Sequence, residues 1–579
     1  MITYGHTGGT PPDQAYWDNL VTTALVTNGG RLVVVSNQTQ FNTALADAQP
    51  DDVIRIANGS YTWTVSDVTS RSGTSGHPII LIPQTRRGVT FTSNNQFLKL
   101  IYCNYWIVGG FNFVTVPIHV FSLYGSSNNT FTDCKLTQCG GDVGDPFYKM
   151  CDLTYYGTTA ASSNTYSWLE LVNSHGFFRL VAENANAAVY RSINNTWKYI
   201  TFNGWAIGNK APCIQLGAGS EMGGTGINNL YDSYSTVQYC YFYNVQTTYN
   251  EHVSCKLSRC TVEYNKFEDT GGLITFRLGD NSICRYNYRV DSVNQSDQLG
   301  LVWVISGQGH KVYGNIIDAK CGYGIIVWRG GSQDPNGHRV PQTKDIDVFH
   351  NTVKMSYGVG ASAALRIGRK SAEYTSSTYV MSGIRVFYNI FTADSGRLFD
   401  YEAYGAADTS LSFGYNNFYL TGSAAYGTAY SLNANVVTGN PVLDADYYPS
   451  KTGAAYSAGI SSSYSIDFYG NPRKSVPDLG AVETGGVFAD QGLLRLVGGE
   501  VGVVAYDTTP YSIGPIAGIK FFVGGEVNCS ARGLLAGPDK GILFLQGGPK
   551  EVADIGPSTG KLYLYGGLLS SEKYDWSAI

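Results

Sequence analysis

Charged side chains make up only 14% of this 579-residue chain, and they are scattered rather than grouped. There is no lysine or arginine block and the formal net charge is -5, so the chain lacks the electrostatic footprint of a nucleic-acid partner. Long apolar runs are missing too: none reaches the roughly 20 residues needed to cross a bilayer. The start, "MITYGHTGGTPPDQAYWDNLV", has no basic segment followed by an apolar one, so neither a membrane partner nor a signal peptide is expected in this chain. No cysteine pair has CxxC spacing, which removes the usual structural zinc site. The 11 cysteines are odd in number and sit mostly in apolar runs such as "VQYCYFYNV", which points to buried free thiols rather than a disulfide framework.

What the chain has in quantity is glycine, 69 residues, and aromatics, 13%. That mixture predicts many short strands and many turns. A repeat organises them. "VEYNKFED", "CRYNYRVD", "VYGNIIDA", "VFHNTVKM" and "VFYNIFTA" share an alternating apolar run broken by Asn265, Asn287, Asn315, Asn351 and Asn389, at separations of 22 to 38 residues. Upstream, "VQYCYFYN" and "TFTDCKLT" put Cys240 and Cys134 at the asparagine position. A constant coil with corner loops of variable length is what a right-handed parallel β-helix requires, with coils about 4.8 Å apart and alternate residues forming a continuous interior. Asparagine suits the bends because it tolerates left-handed backbone and bonds the next coil. Asn-Gly hairpins are scarce in this region, which argues against an antiparallel sandwich.

The fold class expected is therefore all-β: a parallel β-helix over residues 31–484, preceded by an extension and helical cap over 1–30. "PPDQAYWDNLVTTALV" and "NQTQFNTALADAQP" read as helices, the second with an asparagine or threonine cap, suited to covering an open end of the solenoid. After "DLGAVE" the repeat stops, and "LVGGEVGVV", "FFVGGEV", "LFLQGGPKE" and "LYLYGGLL" predict a small all-β module over 485–579, its strands ending in tight turns. Carbohydrate binding, oligomerisation and attachment to a larger particle all remain open for it.

Lys256 and Arg277 lie 21 residues apart on strand-like runs, close to the shortest coil period. They are expected side by side on adjacent coils of one face. At about 5 Å and an effective dielectric near 20 their repulsion is about 3 kcal/mol, enough to ease a proton off the lysine and suit it to general-base work.

The surrounding text resembles a known family. "NGSYTW", "GTSGHPIILIPQ", "YWIVGGFNF", "EHVSCKLSRCTVEYNKFEDTGGLITFRLGD", "SGQGHKVYGN" and "DLGAVE" agree in order and spacing with polysaccharide lyase family 6, which includes chondroitinase B and many alginate lyases. The resemblance covers about residues 30 to 484. It implies β-elimination on a uronic-acid polysaccharide, with Lys256 as the base that removes the C5 proton and Arg277 assisting departure of the C4 oxygen. It also implies a calcium ion held by an asparagine and two acids one residue apart; here that pair reads Tyr249 and Glu251, so one acid is missing and the metal rests on Glu251 alone. Either Glu251 orients Lys256 instead, or Tyr249 contributes its hydroxyl to the site. Where relatives often carry a substrate-binding arginine, this chain has Val302, Trp303 and Val304, and downstream Arg329 is the candidate to grip a substrate carboxylate. His310, in the family-like GxGH turn, joins the substrate-side residues with a mainly structural role. Trp303, Trp328 and Tyr323 are candidates for a sugar-stacking wall, although strand alternation is expected to turn some of them inward.

The expected partner is an acidic polysaccharide, alginate first, then chondroitin, dermatan or a bacterial capsule. The expected location is extracellular, secreted or on a virus particle, with monomer, dimer and trimer all open. Two other functions stay in view: a tailspike-type hydrolase using Glu268, Asp269 and Asp280, and a β-helix that binds polysaccharide without cutting it.

Overall fold

The fold was obtained as a computed structural model. It describes residues 11–484 except 64–65, 93–95, 118, 141–148, 155, 157, 175–176, 182–190, 205, 208–211, 218–231, 248–250, 295–299, 331–341, 357–362, 369–380, 395, 402–410, 423–434 and 461–464, together with the backbone of four later strands. Each coil turns through three strands, as in Thr261–Glu263, Lys266–Glu268 and Leu273–Phe276, and each strand pairs in parallel with its counterpart one coil on. The result is three sheets of 14, 13 and 12 strands. Sheet one starts at Leu32–Val35, sheet two at Gly59–Tyr61 and sheet three at Ser66–Thr69. The parallel β-helix read from the repeat is the fold observed.

The bend between sheets one and two is only two residues long, and it shows why the asparagines recur. Asn265, Asn287, Asn315, Asn351, Asn389 and Asn416 are stacked and fully buried. The Asn287 carboxamide oxygen accepts the Asn265 main-chain N–H at 3.0 Å, while its Nδ2 donates to the Val262 carbonyl at 2.9 Å and to Asn315 Oδ1 at 3.1 Å. The pattern repeats up to Asn416. At the start of this ladder the Cys240 N–H donates to Asn265 Oδ1 at 2.8 Å, so cysteine does occupy the equivalent position. The asparagine N–H and the carbonyl three residues before it are thus bonded at the bend, as buried main-chain groups need to be.

The left-handed residue, however, is the one before each asparagine, contrary to the sequence reading. Tyr264, Tyr286, His350 and Tyr388 have φ of 55°, 55°, 49° and 62°. Ring stacking offsets the cost of that conformation: Trp168, Tyr199, Tyr239, Tyr264 and Tyr286 lie with successive centroids 4.2, 5.1, 5.1 and 5.1 Å apart. In the next coil Gly314 (φ 66°) takes the position, because a Cβ there would come within 2.6 Å of the Tyr286 ring. A second polar ladder, Asn129, Asn164 and Asn195, supports the corner entering sheet one in earlier coils.

The two early helices have different places. Helix Gln38–Ala46, capped by the Asn37 side chain accepting from Gln40 N at 2.9 Å, sends Phe41, Ala44 and Leu45 into the main core and so covers the end of the solenoid. Helix Gln14–Thr22 instead lays Trp17 and Val21 on Val53, Ile80 and Ile82, which lie outside the main core. The cap therefore belongs to residues 38–46, not 1–30, because the first helix covers the outer face of sheet one. Of the cysteines, the ten among the described residues are all buried and free, as expected; Cys529 lies outside them.

The chain separates into two compact units, one of Gly8–Ser463 with Ser475–Thr484 and one of Met1–Thr7, Tyr464–Lys474 and Gly485–Ile579. In the second, strands Arg495–Val497, Ile519–Val523, Ile542–Gln546 and Lys561–Tyr565 pair in chain order and in parallel. The four apolar runs are strands, and as parallel neighbours they are joined by return crossovers.

Substituting Asn287→Ala orphans the Asn265 N–H and the Val262 carbonyl at once. At about 1–3 kcal/mol for each buried group, the expected loss is about 3 kcal/mol, read as a lower urea midpoint; an unchanged midpoint would mean the ladder contributes nothing to stability.

Candidate active site on sheet three

Two outward columns define the site. Strand register aligns Gln215, Ser254, Thr275, Trp303, Ile326 and Arg366 on successive coils. Two residues further along each strand the main-chain bonds continue in step, with Lys256 N donating to the Leu216 carbonyl, Arg277 N to Cys255, Ile305 N to Phe276, Trp328 N to Val304 and Gly368 N to Val327. The second column is therefore Gly217, Lys256, Arg277, Ile305, Trp328 and Gly368. Lys256 and Arg277 are neighbours on adjacent coils of one face, as their spacing requires. Both are partly exposed, whereas Ser254 and Thr275 beside them are fully buried.

A break in alternation brings in a third residue. His252 and Val253 both point inward, His252 stacking on Phe242 at 5.4 Å and Val253 joining the main core. The register shift between Glu251 and Val253 accompanies this, and Glu251 is re-aimed to the outer side. Its carboxylate, in a residue only 4% exposed, lies 3.6 Å from Arg277 Nη1. Glu251 thus pairs with Arg277. The same device operates in Tyr323–Val327: Gly324 and Ile325 both face inward, and Tyr323 clusters outside with Ile326 and Ala363. All three proposed aromatics are therefore on the outer face, a point that simple alternation missed. Trp303 and Trp328 meet edge to face at 4.1 Å, and Arg366 lies over the Tyr323 ring at 4.8 Å and donates to its hydroxyl.

Gly217 was not singled out in the sequence, yet it clears the approach to the lysine. Its φ is +100°, and a Cβ there would stand 3.2 Å from Lys256 Cβ and 2.8 Å from Leu257 Cγ. Only register, not local sequence, places it beside Lys256. Ser254 Oγ, in the neighbouring column, is buried and has no hydrogen-bond partner among the described residues.

Other candidates fall elsewhere. Arg329 follows Trp328, two coils beyond Arg277, and is only 4% exposed, so its guanidinium is not presented to a ligand from solvent. Tyr249 lies outside the described residues. His310 is in the corner before sheet one, 1% exposed, accepting from Ser282 N at Nδ1 (3.1 Å) and donating from Nε2 to the Ser306 carbonyl (3.1 Å). With both nitrogens bonded to main chain it is a corner support and not a substrate ligand. The hydrolase candidates are likewise engaged: Asp269 and Asp280, in corners, accept from Ser292 and Gln308, and Glu268, at the end of its strand, accepts from Tyr241.

Calcium does not fit the donors described. Glu251 is the only carboxylate of the matching pair, it faces a guanidinium, and among the described residues no group of three or more His, Cys, Asp or Glu is placed to hold a metal.

With this geometry established, comparison with known proteins places the chain. The family model for chondroitinase B matches residues 35–356, more than half of the sequence, and the chain belongs to that family of polysaccharide lyases. No curated protein matches it. Among solved structures it resembles the family 6 alginate lyase AlyGC, at 16% identity and TM-score 0.56, covering 92% of this chain and 70% of that one. It also resembles a mannuronic-acid-specific family 6 lyase from human gut microbiota, at 16% identity and TM-score 0.52, covering 69% and 88%. A third, the family 6 lyase Pedsa3628 from Pseudopedobacter saltans, shows 16% identity and TM-score 0.50, covering 69% and 92%. These likenesses concern the fold.

Burial holds His310 neutral, with its pKa lowered to about 4. The unfolded chain binds that proton below about pH 6.5, so stability is full above that value, falls as pH drops and levels off near pH 4, by about 3 kcal/mol in all. Urea midpoints compared at pH 7 and pH 4.5 should show a smaller drop in His310→Gln than in the wild type; equal drops would contradict the assignment.

Proposed function

We propose that this protein cleaves a uronic-acid-containing polysaccharide by β-elimination, with Lys256 as the base and Arg277 as the charge-stabilising partner. The observation that carries the reading is the in-register Lys256–Arg277 pair on the outer face of sheet three, inside the segment matched by the lyase family. A uronate is required because its carboxylate acidifies C5. Lys256, beside the Arg277 guanidinium, accepts the C5 proton on its neutral amine. Negative charge then builds on the carboxylate and C5 as an enolate-like species, and the fixed guanidinium of Arg277 is preorganised to stabilise it. The C4–O bond breaks, a C4–C5 double bond forms, and the departing oxygen, hydrogen-bonded by Arg277, takes a proton from water while Lys256 returns its own to solvent. Glu251 holds Arg277 by its carboxylate, so the guanidinium is oriented before substrate arrives. Cations alone supply the charge stabilisation in this reading, and no step passes through calcium. Substrate reaches the site from outside the cell, in keeping with the polymeric substrates of such lyases.

The test follows the ultraviolet absorbance of the unsaturated product on a panel of uronate polysaccharides. Lys256→Ala is expected to lower kcat by about 10²–10⁴ with polymer binding retained. Reducing ends without absorbance would overturn elimination in favour of hydrolysis, and binding lost along with turnover would reduce Lys256 to a grip on acidic sugar. In a parallel arm, a strong chelator is expected to leave the rate within about twofold; loss of activity restored by calcium would show that residues such as Tyr249 complete a metal site.

A further inference from the structure

The interior of the solenoid holds a charged pair that the mechanism leaves unused. An inward row of sheet two runs in register through Phe242, Phe267, Arg289, Ile317 and Val353, so a guanidinium occupies a place that its neighbours give to apolar side chains. Arg289 and its partner Asp291, joined Nε to Oδ2 at 3.1 Å, have fully buried side chains. A buried ion pair is a poor source of stability, since apolar residues of similar volume often do as well. Its use lies in what the guanidinium holds. Arg289 Nη2 donates to the Thr270 carbonyl at 2.7 Å, and Nη1 to the carbonyls of Gly272 at 3.1 Å and Gly300 at 2.6 Å. Gly272 and Gly300 lead into the strands Leu273–Phe276 and Val302–Val304, the first of which runs on to Arg277. One side chain thus fixes the entry of two successive coils into sheet three.

His252 meets the first of these entries. It is the extra residue of its strand, since Glu251 pairs with Leu273 and Val253 with Ile274. Its fully buried ring lies parallel to those of Phe242 and Phe267, at 5.4 and 5.9 Å, and its Nε2 accepts the Gly272 N–H at 3.1 Å. Gly272 has to be glycine, because a Cβ there would stand 2.4 Å from the His252 ring. Gly272 is therefore held from within on both sides, its N–H by His252 and its carbonyl by Arg289. We propose that His252 and Arg289 are positioning residues, an internal peg and clamp that set the one-residue offset between the strand of Glu251 and the strand of Arg277. That offset turns Glu251 to the outer face and keeps its carboxylate 3.6 Å from Arg277 Nη1. The inference rests on the lyase reading, in which Arg277 is oriented before substrate arrives.

Crystal structures and kinetics of the full chain test the proposal together. His252→Leu removes the acceptor, and His252→Gln puts an amide oxygen near the place of Nε2. Arg289→Met combined with Asp291→Asn removes the clamp without leaving a lone buried charge. In His252→Leu and in the double variant, the Glu251 carboxylate should move beyond about 4 Å from Arg277. In both, kcat on the uronate polymer should fall by about 10²-fold with KM within about twofold of the wild type. His252→Gln should keep the pair and hold kcat within about fivefold of the wild type. In a Glu251→Gln background His252→Leu should cost much less, because its effect passes through Glu251. An unmoved pair, an unchanged kcat, a loss confined to KM, or an equal cost in both backgrounds overturns the proposal; if His252→Leu does not fold, the double variant decides. A wild type that makes no unsaturated product would sink the lyase reading, and the crystallographic arm would still decide the peg and clamp. Unsaturated product from the wild type, with the pair unmoved in the variants, would sink the peg and clamp alone.

Discussion

The structure depends on one constraint: a chain bent sharply at the same place in every coil must bond the main-chain groups that each bend exposes. The asparagine ladder meets that demand, each carboxamide tying its own coil to its neighbours while remaining fully buried. Because the ladder fixes rotation and rise from coil to coil, residues far apart in sequence are held in register on the outer faces. Lys256 and Arg277 are adjacent for that reason and no local one. The tyrosines one position earlier make the left-handed bend tolerable by stacking, so the bend is sustained by two ladders at once, one polar and one aromatic.

A scaffold this regular leaves little room to aim a side chain, and the site is built where regularity breaks. Two consecutive inward residues, His252 with Val253 and Gly324 with Ile325, turn Glu251 and Tyr323 onto the outer face. Elsewhere on the same face ion pairs such as Arg179–Asp152, at 3.2 Å, are buried and neutralise each other. Around Lys256 and Arg277 the pairing differs: Glu251 lies 3.6 Å from Arg277, and both basic side chains, on adjacent coils, are partly exposed.

Much of this was legible in the sequence. The repeat gave the coil, the asparagine positions and even the cysteines that substitute for them, because burial and bend geometry impose the same residue types on each coil. The spacing of Lys256 and Arg277 was readable because it matches the coil period. Less legible were features set by breaks in period. Alternation alone turned some of the aromatic wall inward, since a residue facing the wrong way for one step leaves no mark in composition. Gly217 was invisible because its role comes from its neighbour one coil away. His310 was read from its motif as mainly structural while kept among the substrate-side residues, and the corner geometry, with both ring nitrogens bonded to main chain, leaves only the first of these roles. The first helix matched its predicted type, yet its packing partner, the outer face of sheet one, is a tertiary choice that the pattern does not contain.

The central claim is that the in-register Lys256 and Arg277 remove a carbon-bound proton and expel an oxygen without water entering the bond. The most direct measurement is the mass of the oligosaccharide fragments released from a uronate polysaccharide of defined repeat. The account predicts that the fragment bearing the new non-reducing end is lighter by one water than a hydrolysis product and carries an unsaturated uronate. Fragments of full hydrolysed mass would contradict it and return the chemistry to a pair of carboxylates.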